Sequence, residues 1–198
     1  MTFPVSIGPA EARALREWVQ RESASKTIEV GLGYGLSTVA ICEGLVANGG
    51  GRHLAIDPYQ RTGLRRHTTK FAGAGLRALE AAGVRELVDF REEESQIVLP
   101  RLLAEGRRFD LAFIDGNHRF EGVFLDLVYS GGLLEEHRIV FVDDTQLPGI
   151  RSAVGFCLAN LAWTVEDEGS EADEHEWLIV RTGPASAFER PYADFVEF

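Results

Sequence analysis

The chain has 198 residues, a formal net charge of −11 at pH 7 and a hydrophobic fraction of 45%. This length and composition are typical of one soluble globular domain, and the acidic charge argues against nucleic acid as a partner because phosphate backbones repel it. No apolar run approaches the ~20 residues of a membrane span, so a membrane partner is not expected either. The N-terminus lacks a signal-peptide pattern and the two cysteines lack metal-type or redox-type neighbours, so the predicted location is cytoplasmic.

Apolar, strand-like runs alternate with helical patterns along the chain, which predicts βαβ units and a mostly parallel sheet. We expect a single domain over 1–198, divided into an N-terminal helix (1–26), a core (27–182) and an aromatic tail (183–198). In chain order the predicted elements are a helix at 9–22, a strand at 27–30, a helix at 35–47, a strand at 52–56, a helix at 64–82, a strand at 87–91, a helix at 95–105, a strand at 109–114, a helix from 120 that the glycines at 131 and 132 end, a strand at 138–142, a helix at 149–160, and strands at 162–166 and 177–181.

Residues 28–38 read Ile-Glu-Val-Gly-Leu-Gly-Tyr-Gly-Leu-Ser-Thr, a short apolar strand followed by a turn with three alternating glycines. Gly31, Gly33 and Gly35 let the backbone approach a ligand closely, and the next helix offers free N–H groups at its N-terminus. The spacing differs from the dinucleotide pattern Gly-x-Gly-x-x-Gly, because the third glycine comes one residue early. This turn, opened by Glu29, resembles the nucleotide-binding loop of class I S-adenosylmethionine-dependent methyltransferases, although an ordinary tight βα turn is the alternative interpretation.

Polar side chains follow several predicted strands at the point where each strand ends. Asp57 ends the second strand, Asp115 the fourth, and Asp143-Asp144 the fifth. Ligands in an open α/β sheet bind outside the carboxyl ends of the strands, and clustered carboxylates there need a cation or hydrogen-bond donors. Asp57 is placed to accept both hydroxyls of a ribose, or else to cap the following loop. Ser95, which starts the helix after the third strand, is interpreted either as an N-cap or as a contact to the adenine edge.

The segments 109–121 and 139–145 carry an Asp-Gly-x-His motif and an Asp-Asp motif. They resemble elements of a class I methyltransferase family related to cephalosporin hydroxylase-like and macrocin-type O-methyltransferases. More distantly, they are similar to the metal-dependent catechol and caffeoyl-CoA O-methyltransferases. The resemblance runs over about 29–154. It implies a Rossmann-like, doubly wound α/β fold with a seven-stranded, mostly parallel sheet, a closing antiparallel strand and helices on both faces.

The resemblance also implies a divalent metal held by Asp115, Asp143 and Asp144. Three hard oxygen donors with open positions for water and substrate suit Mg²⁺, with Mn²⁺ or Ca²⁺ as alternatives. Catechol-type enzymes have a lysine general base three residues after the strand-four aspartate. This chain departs from that pattern with His118, which titrates near neutrality and keeps the chemistry. His118 is alternatively a further metal ligand or a histidine making local hydrogen bonds, and the carboxylates are alternatively a metal-free polar edge.

Together these features predict an S-adenosylmethionine-dependent methyltransferase that moves a methyl group to a hydroxyl of a small molecule, with a divalent metal. The basic residues within 61–70 favour an anionic acceptor or else form a solvated loop, and without a metal, nitrogen and carbon acceptors become alternatives. The aromatic tail packs on the body or on a second subunit, and the second case gives a homodimer. The predicted catalytic residues are His118 and Asp115, the predicted cofactor contacts are Glu29, Gly31, Gly33, Gly35, Ser37, Asp57, Ser95 and Asp115, and the predicted metal ligands are Asp115, Asp143 and Asp144.

Two other functions stay open as alternatives. One is a non-catalytic, adenosylmethionine-binding or regulatory protein of the same fold, because the chain is short and has a histidine in place of the catechol-type lysine. The other is an NAD(P)-dependent oxidoreductase. The early third glycine, the Asp-Asp after strand five and the lack of a Tyr-x-x-x-Lys pair disfavour it, since Tyr59 and Tyr129 have no lysine four residues on.

Overall fold

The computed structural model describes residues 6–61, 71–171 and 175–198. A seven-stranded sheet forms its centre, with the strand order β3-β2-β1-β4-β5-β7-β6. The strands are β1 (Lys26–Val30), β2 (Arg52–Ile56), β3 (Val88–Arg91), β4 (Phe109–Ile114), β5 (Leu134–Val142), β6 (Thr164–Ser170) and β7 (Glu176–Arg181). The helices are α1 (Pro9–Arg21), α2 (Leu36–Ala47), α3 (Ala74–Ala81), α4 (Ser95–Ala104), α5 (Phe120–Leu133) and α6 (Pro148–Asn160), with short 3₁₀ turns at Arg85–Leu87, Ala185–Glu189 and Tyr192–Asp194.

Strands β1 to β5 are parallel to one another, and the strand order reverses between β1 and β4. Strand β7 pairs antiparallel with β5, and β6 pairs antiparallel with β7. The predicted α/β fold class is therefore confirmed, including the closing antiparallel strand. The reversal beside β1 creates the crevice at which open α/β sheets bind their ligands.

Successive residues of the central strands face opposite helical layers. Ile114 and Val142 belong to the core on the side of α4, α5 and α6, whereas Phe113 and Phe141 belong to the core beneath α1. The rings of Phe113 and Phe141 pack edge to face, with centroids 5.6 Å apart. Because helices cover both faces of β4 and β5, these strands read as continuous apolar runs rather than as alternating ones.

Helix α5 continues through the two glycines that were expected to end it. A Cβ atom on Gly131 would lie only 2.6 Å from the Trp163 ring, so this glycine allows close packing and does not mark a break. As a result β5 begins at Leu134, earlier than the predicted 138. The predicted helix at 64–82 begins in the structure at Ala74; its segment 62–70, with most of the basic stretch, lies outside the described residues.

The C-terminal tail packs against α6 of the same chain. Asn160 donates a hydrogen bond to the carbonyl of Val196 at 2.8 Å and accepts one from its N–H at 2.9 Å. The rings of Phe156 and Phe198 meet edge to face with centroids 5.3 Å apart. Among the described helices, none has the length and apolar character needed to cross a membrane.

The contact between α1 and α2 depends on a glycine, which gives a stability test. A Cβ atom on Gly44 would lie 2.7 Å from Cγ1 of Val19, whereas one on Gly132 would meet only Leu103 at 3.6 Å. Alanine gains helix propensity of about 1 kcal/mol over glycine, but an overpacked core costs about 1–3 kcal/mol. We expect Gly132→Ala to raise the free energy of unfolding and Gly44→Ala to lower it, measured by urea denaturation. Stabilisation by both substitutions would contradict the close α1–α2 contact.

Candidate functional site

A cleft of about 530 Å³ opens at the carboxyl ends of β1, β2 and β4, beside the reversal of strand order. Its volume is that of a small-molecule or cofactor site. Part of its wall is apolar, through Ile56 and Phe71, and the rest is polar. The structure brings six of the predicted site residues to this lining, namely Gly31, Gly33, Asp57, Ser95, Asp115 and His118.

The glycine turn is required by the backbone itself. Gly31 has a φ of +102°, and a Cβ atom there would lie 1.9 Å from the carbonyl oxygen of Asp115, so no other residue fits between the ends of β1 and β4. Gly35 has a φ of +83° and precedes the first residue of α2. It packs against Gly75 and lies outside the cleft lining. The turn therefore keeps the floor of the cleft free of side chains.

Asp57 ties the glycine turn to the end of β2. Its carboxylate accepts hydrogen bonds from the N–H of Gly33 at 2.9 Å, the N–H of Tyr59 at 2.7 Å and the side-chain amide of Gln60 at 3.1 Å. Burial raises the pKa of Asp57 above its ordinary value, and these hydrogen bonds oppose the increase. A carboxylate has about four lone-pair sites, so one remains for a donor in the cleft.

Glu29 and Ser37, like Gly35, lie away from the cleft lining, unlike the other predicted cofactor contacts. Glu29 is fully buried, and its carboxylate accepts hydrogen bonds from the hydroxyls of Ser37 and Thr38. It also pairs with Nε2 of His53 at 3.0 Å, while Nδ1 of His53 lies 2.8 Å from the Thr27 hydroxyl. Glu29 and Ser37 therefore fix the start of α2 from within the core.

Ser95 begins α4 at the edge of the cleft, and a buried carboxylate lies behind it. Asp126 of α5 is 1% exposed, and among the described residues neither of its carboxylate oxygens finds a hydrogen bond of normal geometry. Burial raises the pKa of Asp126 to about 6, an increase that the nearby Ser95 hydroxyl only partly offsets. Asp126 was not predicted as a site residue, because an aspartate in a helix is usually exposed.

Asp115, His118 and Asp144 form the polar wall of the cleft and its continuation toward β5. Nε2 of His118 lies 3.3 Å from Oδ1 of Asp115, and Nδ1 lies 3.3 Å from Oδ2 of Asp144. One donor atom from each residue lies within 4.8 Å of the others, a spacing that suits a bound cation. Burial raises the pKa of Asp115, and the hydrogen bond with Asp115 raises that of His118. We name these three residues the cleft group.

Asp143 belongs to a second group of side chains, with Glu11 and His175. Nε2 of His175 lies 2.8 Å from Oδ1 of Asp143 and 3.0 Å from Oε2 of Glu11. The other ring nitrogen, Nδ1, lies 3.4 Å from Oδ1 of Asp144. Hydrogen bonds, chiefly with Asp143, raise the pKa of His175 to about 12, and His175 in turn lowers that of Asp144. We name Glu11, Asp143 and His175 the inner group.

The structure thus divides the predicted metal set of Asp115, Asp143 and Asp144 between two neighbouring groups. The sequence analysis missed Glu11 and His175. A signal for His175 was present, because β7 runs antiparallel to β5 and its first residues must lie beside the end of β5. Glu11 gave no such signal, since acidic residues are common in the first turn of any helix.

Solved structures with the same fold include two bacterial O-methyltransferases. One is the O-methyltransferase of Bacillus cereus in complex with SAH, with a TM-score of 0.73 and 18% identity over 92% of this chain and 84% of that chain. The other is TomG of Streptomyces achromogenes in complex with SAM, with a TM-score of 0.74 and 17% identity over 91% of this chain and 82% of that chain. At these identities the likeness concerns the fold.

Sequence comparison gives a more specific relationship. Tricin synthase 1 of Oryza sativa subsp. japonica is 32% identical over 148 residues, which cover 70% of this chain and 54% of that protein. The chain therefore spans about half the length of this curated relative. Residues 28–145 match the family described as "Methyltransferase domain", a segment that holds the glycine turn and the carboxylates of β4 and β5. Because this match covers more than half of the chain, the protein belongs to that methyltransferase domain family.

Proposed function

We propose that this protein is an S-adenosylmethionine-dependent methyltransferase that methylates a hydroxyl of a small molecule, with the help of a divalent cation. One observation carries the proposal. The cleft at the β1–β4 reversal joins a side-chain-free glycine floor and the Asp57 carboxylate to the cleft group of Asp115, His118 and Asp144. A nucleotide site and a hydroxyl-activating site are thereby adjacent. Membership of the methyltransferase domain family supports the same reaction class.

The cofactor half of the cleft suits an adenosyl group. Asp57 is placed to accept one ribose hydroxyl through its remaining lone-pair site, because its carboxylate is already aligned by the backbone of the glycine turn. Ser95 stands at the start of α4, where the adenine edge is expected, and Phe71 and Ile56 give this half an apolar wall. The backbone at Gly31 leaves room for a ligand in direct contact with the strand ends.

The acceptor half is formed by the cleft group, which would hold the cation. S-adenosylmethionine supplies an electrophilic methyl group, and a divalent cation polarises the acceptor oxygen and lowers its pKa. Oxygen and imidazole donors together fit Mn²⁺ as well as the predicted Mg²⁺. Both ring nitrogens of His118 face carboxylates, and this geometry favours His118 as a ligand over His118 as a free general base.

The proposed acceptor is a small molecule with an anionic group. Arg119 lines the cleft directly after His118 and supplies a positive charge there. Arg61, by contrast, is paired with Glu92 at 3.1 Å. Tail rings that stay partly exposed, such as Phe195 and Phe198, make a homodimer part of the same proposal. We also assign the protein to the cytoplasm, since its free cysteines are buried rather than paired in a disulfide.

The cofactor assignment is tested by calorimetric titration with S-adenosylmethionine and, separately, with NADH. We expect saturable binding of S-adenosylmethionine only. Asp57→Ala should weaken it by about 10–100-fold, because charge-assisted hydrogen bonds contribute about 1.5–3 kcal/mol each. Asp89→Ala, which removes an exposed carboxylate of β3 paired with Arg91, serves as the control and should bind normally. Tight binding of NADH without S-adenosylmethionine binding would overturn the assignment.

The role of His118 is tested with His118→Gln by measuring Mn²⁺ affinity and the pH dependence of methyl transfer. A ligand role predicts that the Mn²⁺ affinity falls at least about tenfold, while S-adenosylmethionine affinity changes little. A general-base role predicts unchanged Mn²⁺ affinity and loss of the acidic limb of the pH–rate profile. Glu121→Gln, an exposed change in the first turn of α5, is the control for surface charge. Unchanged affinity together with an unchanged profile would remove His118 from both roles.

A further inference from the structure

The inner group assembles from three parts of the chain that are distant in sequence. Glu11 comes from the first turn of α1, Asp143 follows β5, and His175 precedes β7. One donor atom from each lies within 4.8 Å of the other two. The set of one imidazole nitrogen and two carboxylate oxygens is separate from the cleft lining, to which none of the three contributes.

Glu11 gives an independent indication that this group binds something. Its side chain is fully buried, and one oxygen, Oε2, lies against His175. The other oxygen, Oε1, has no hydrogen-bond partner among the described residues. An unpaired buried carboxylate oxygen is costly, because desolvation is not repaid by a donor. A cation between Glu11 and Asp143 supplies the missing partner.

The charges of the two groups are matched by two divalent cations. Asp115 and Asp144 in the cleft group and Glu11 and Asp143 in the inner group carry four negative charges when ionised. Two divalent cations balance these charges with both histidines neutral, whereas without a cation in the inner group the balance needs protons on His175 and on the buried Glu11. Neutral imidazole is also the form that binds metals.

Asp144 contacts the histidines of both groups. Its Oδ2 faces His118 at 3.3 Å, and its Oδ1 faces His175 at 3.4 Å. Each oxygen of this one carboxylate is thus directed at a different group. Nδ1 is the ring nitrogen of His175 that does not face Glu11 and Asp143, so Asp144 would orient this imidazole from behind and leave Nε2 for a cation.

We propose that Glu11, Asp143 and His175 form a second divalent-cation site, adjacent to the cleft group, that takes a first-row transition metal such as Mn²⁺ or Zn²⁺. An imidazole donor favours these ions over Mg²⁺ and Ca²⁺, which prefer oxygen ligands alone. The bound ion joins α1 to the ends of β5 and β7 and fixes Asp143 beside the cleft. This inference goes beyond the proposed function, since it concerns metal binding without cofactor or acceptor.

The test is the number of Mn²⁺ ions bound per metal-free chain of 198 residues, counted from the electron paramagnetic resonance signal of free Mn²⁺. We expect two for the unmodified protein. Glu11→Gln and Asp115→Asn should each bind one, and the double variant none. Glu176→Gln changes the residue next to His175 but only removes a pairing with Arg151, so it should still bind two. His175→Gln, at a side chain 26% exposed, repeats the test if Glu11→Gln does not fold.

The other outcomes overturn the proposal. If the unmodified chain binds one ion, and Asp115→Asn alone abolishes it, the inner group is a metal-free ion pair with a protonated His175. If it binds two and both Glu11→Gln and His175→Gln keep both, the second ion lies elsewhere. If it binds none, the inner group binds no cation, and the metal in the proposed function fails with it. In that last case S-adenosylmethionine titration still decides separately on the cofactor.

Discussion

Carboxylates held out of water at the carboxyl edge of the sheet are the constraint on which the rest of this molecule depends. A buried carboxylate needs hydrogen-bond donors or a cation, and Glu29 has donors. Three donors, the hydroxyls of Ser37 and Thr38 and the imidazole of His53, surround its carboxylate inside the core. This network sets where α2 begins relative to β1, and so it positions the glycine turn between them. The shape of the cleft floor follows from a buried group that lies outside the cleft lining.

The neighbouring edge meets the same constraint differently. Glu11, Asp115, Asp143 and Asp144 face mainly two histidines and one another, with few backbone or hydroxyl donors. Such an arrangement is stable with protons or with cations, and it changes with pH or metal supply. The side of the cleft next to the Glu29 network is thus fixed by hydrogen bonds that the protein supplies itself, whereas the acidic side depends on protons or cations.

Several features of this site could be predicted from sequence because they depend only on strand order and strand ends. The run 109–114 reads as a buried parallel strand, and Asp115 and Asp143-Asp144 follow their strands directly, so they had to reach one edge. The orientation of Glu29 could not be predicted in this way, since it lies one residue before the strand ends and both faces of the sheet there are covered by helices. The prediction that Gly131 ends a helix was wrong for another reason. This glycine packs against Trp163, a residue distant in sequence.

The large sequence separation between the residues of the inner group affects the order in which the molecule folds. Its contact between Glu11 and His175 spans 164 residues, nearly the whole chain. By contrast, the strands that carry the glycine turn and Asp57 pair within the first part of the chain. Contacts between residues far apart in sequence form late in folding, because closing the long loop between them costs conformational entropy. During synthesis, the part of the cleft formed by the glycine turn and Asp57 is able to fold before β7 has been synthesised. The inner group is complete only after β7 has paired with β5.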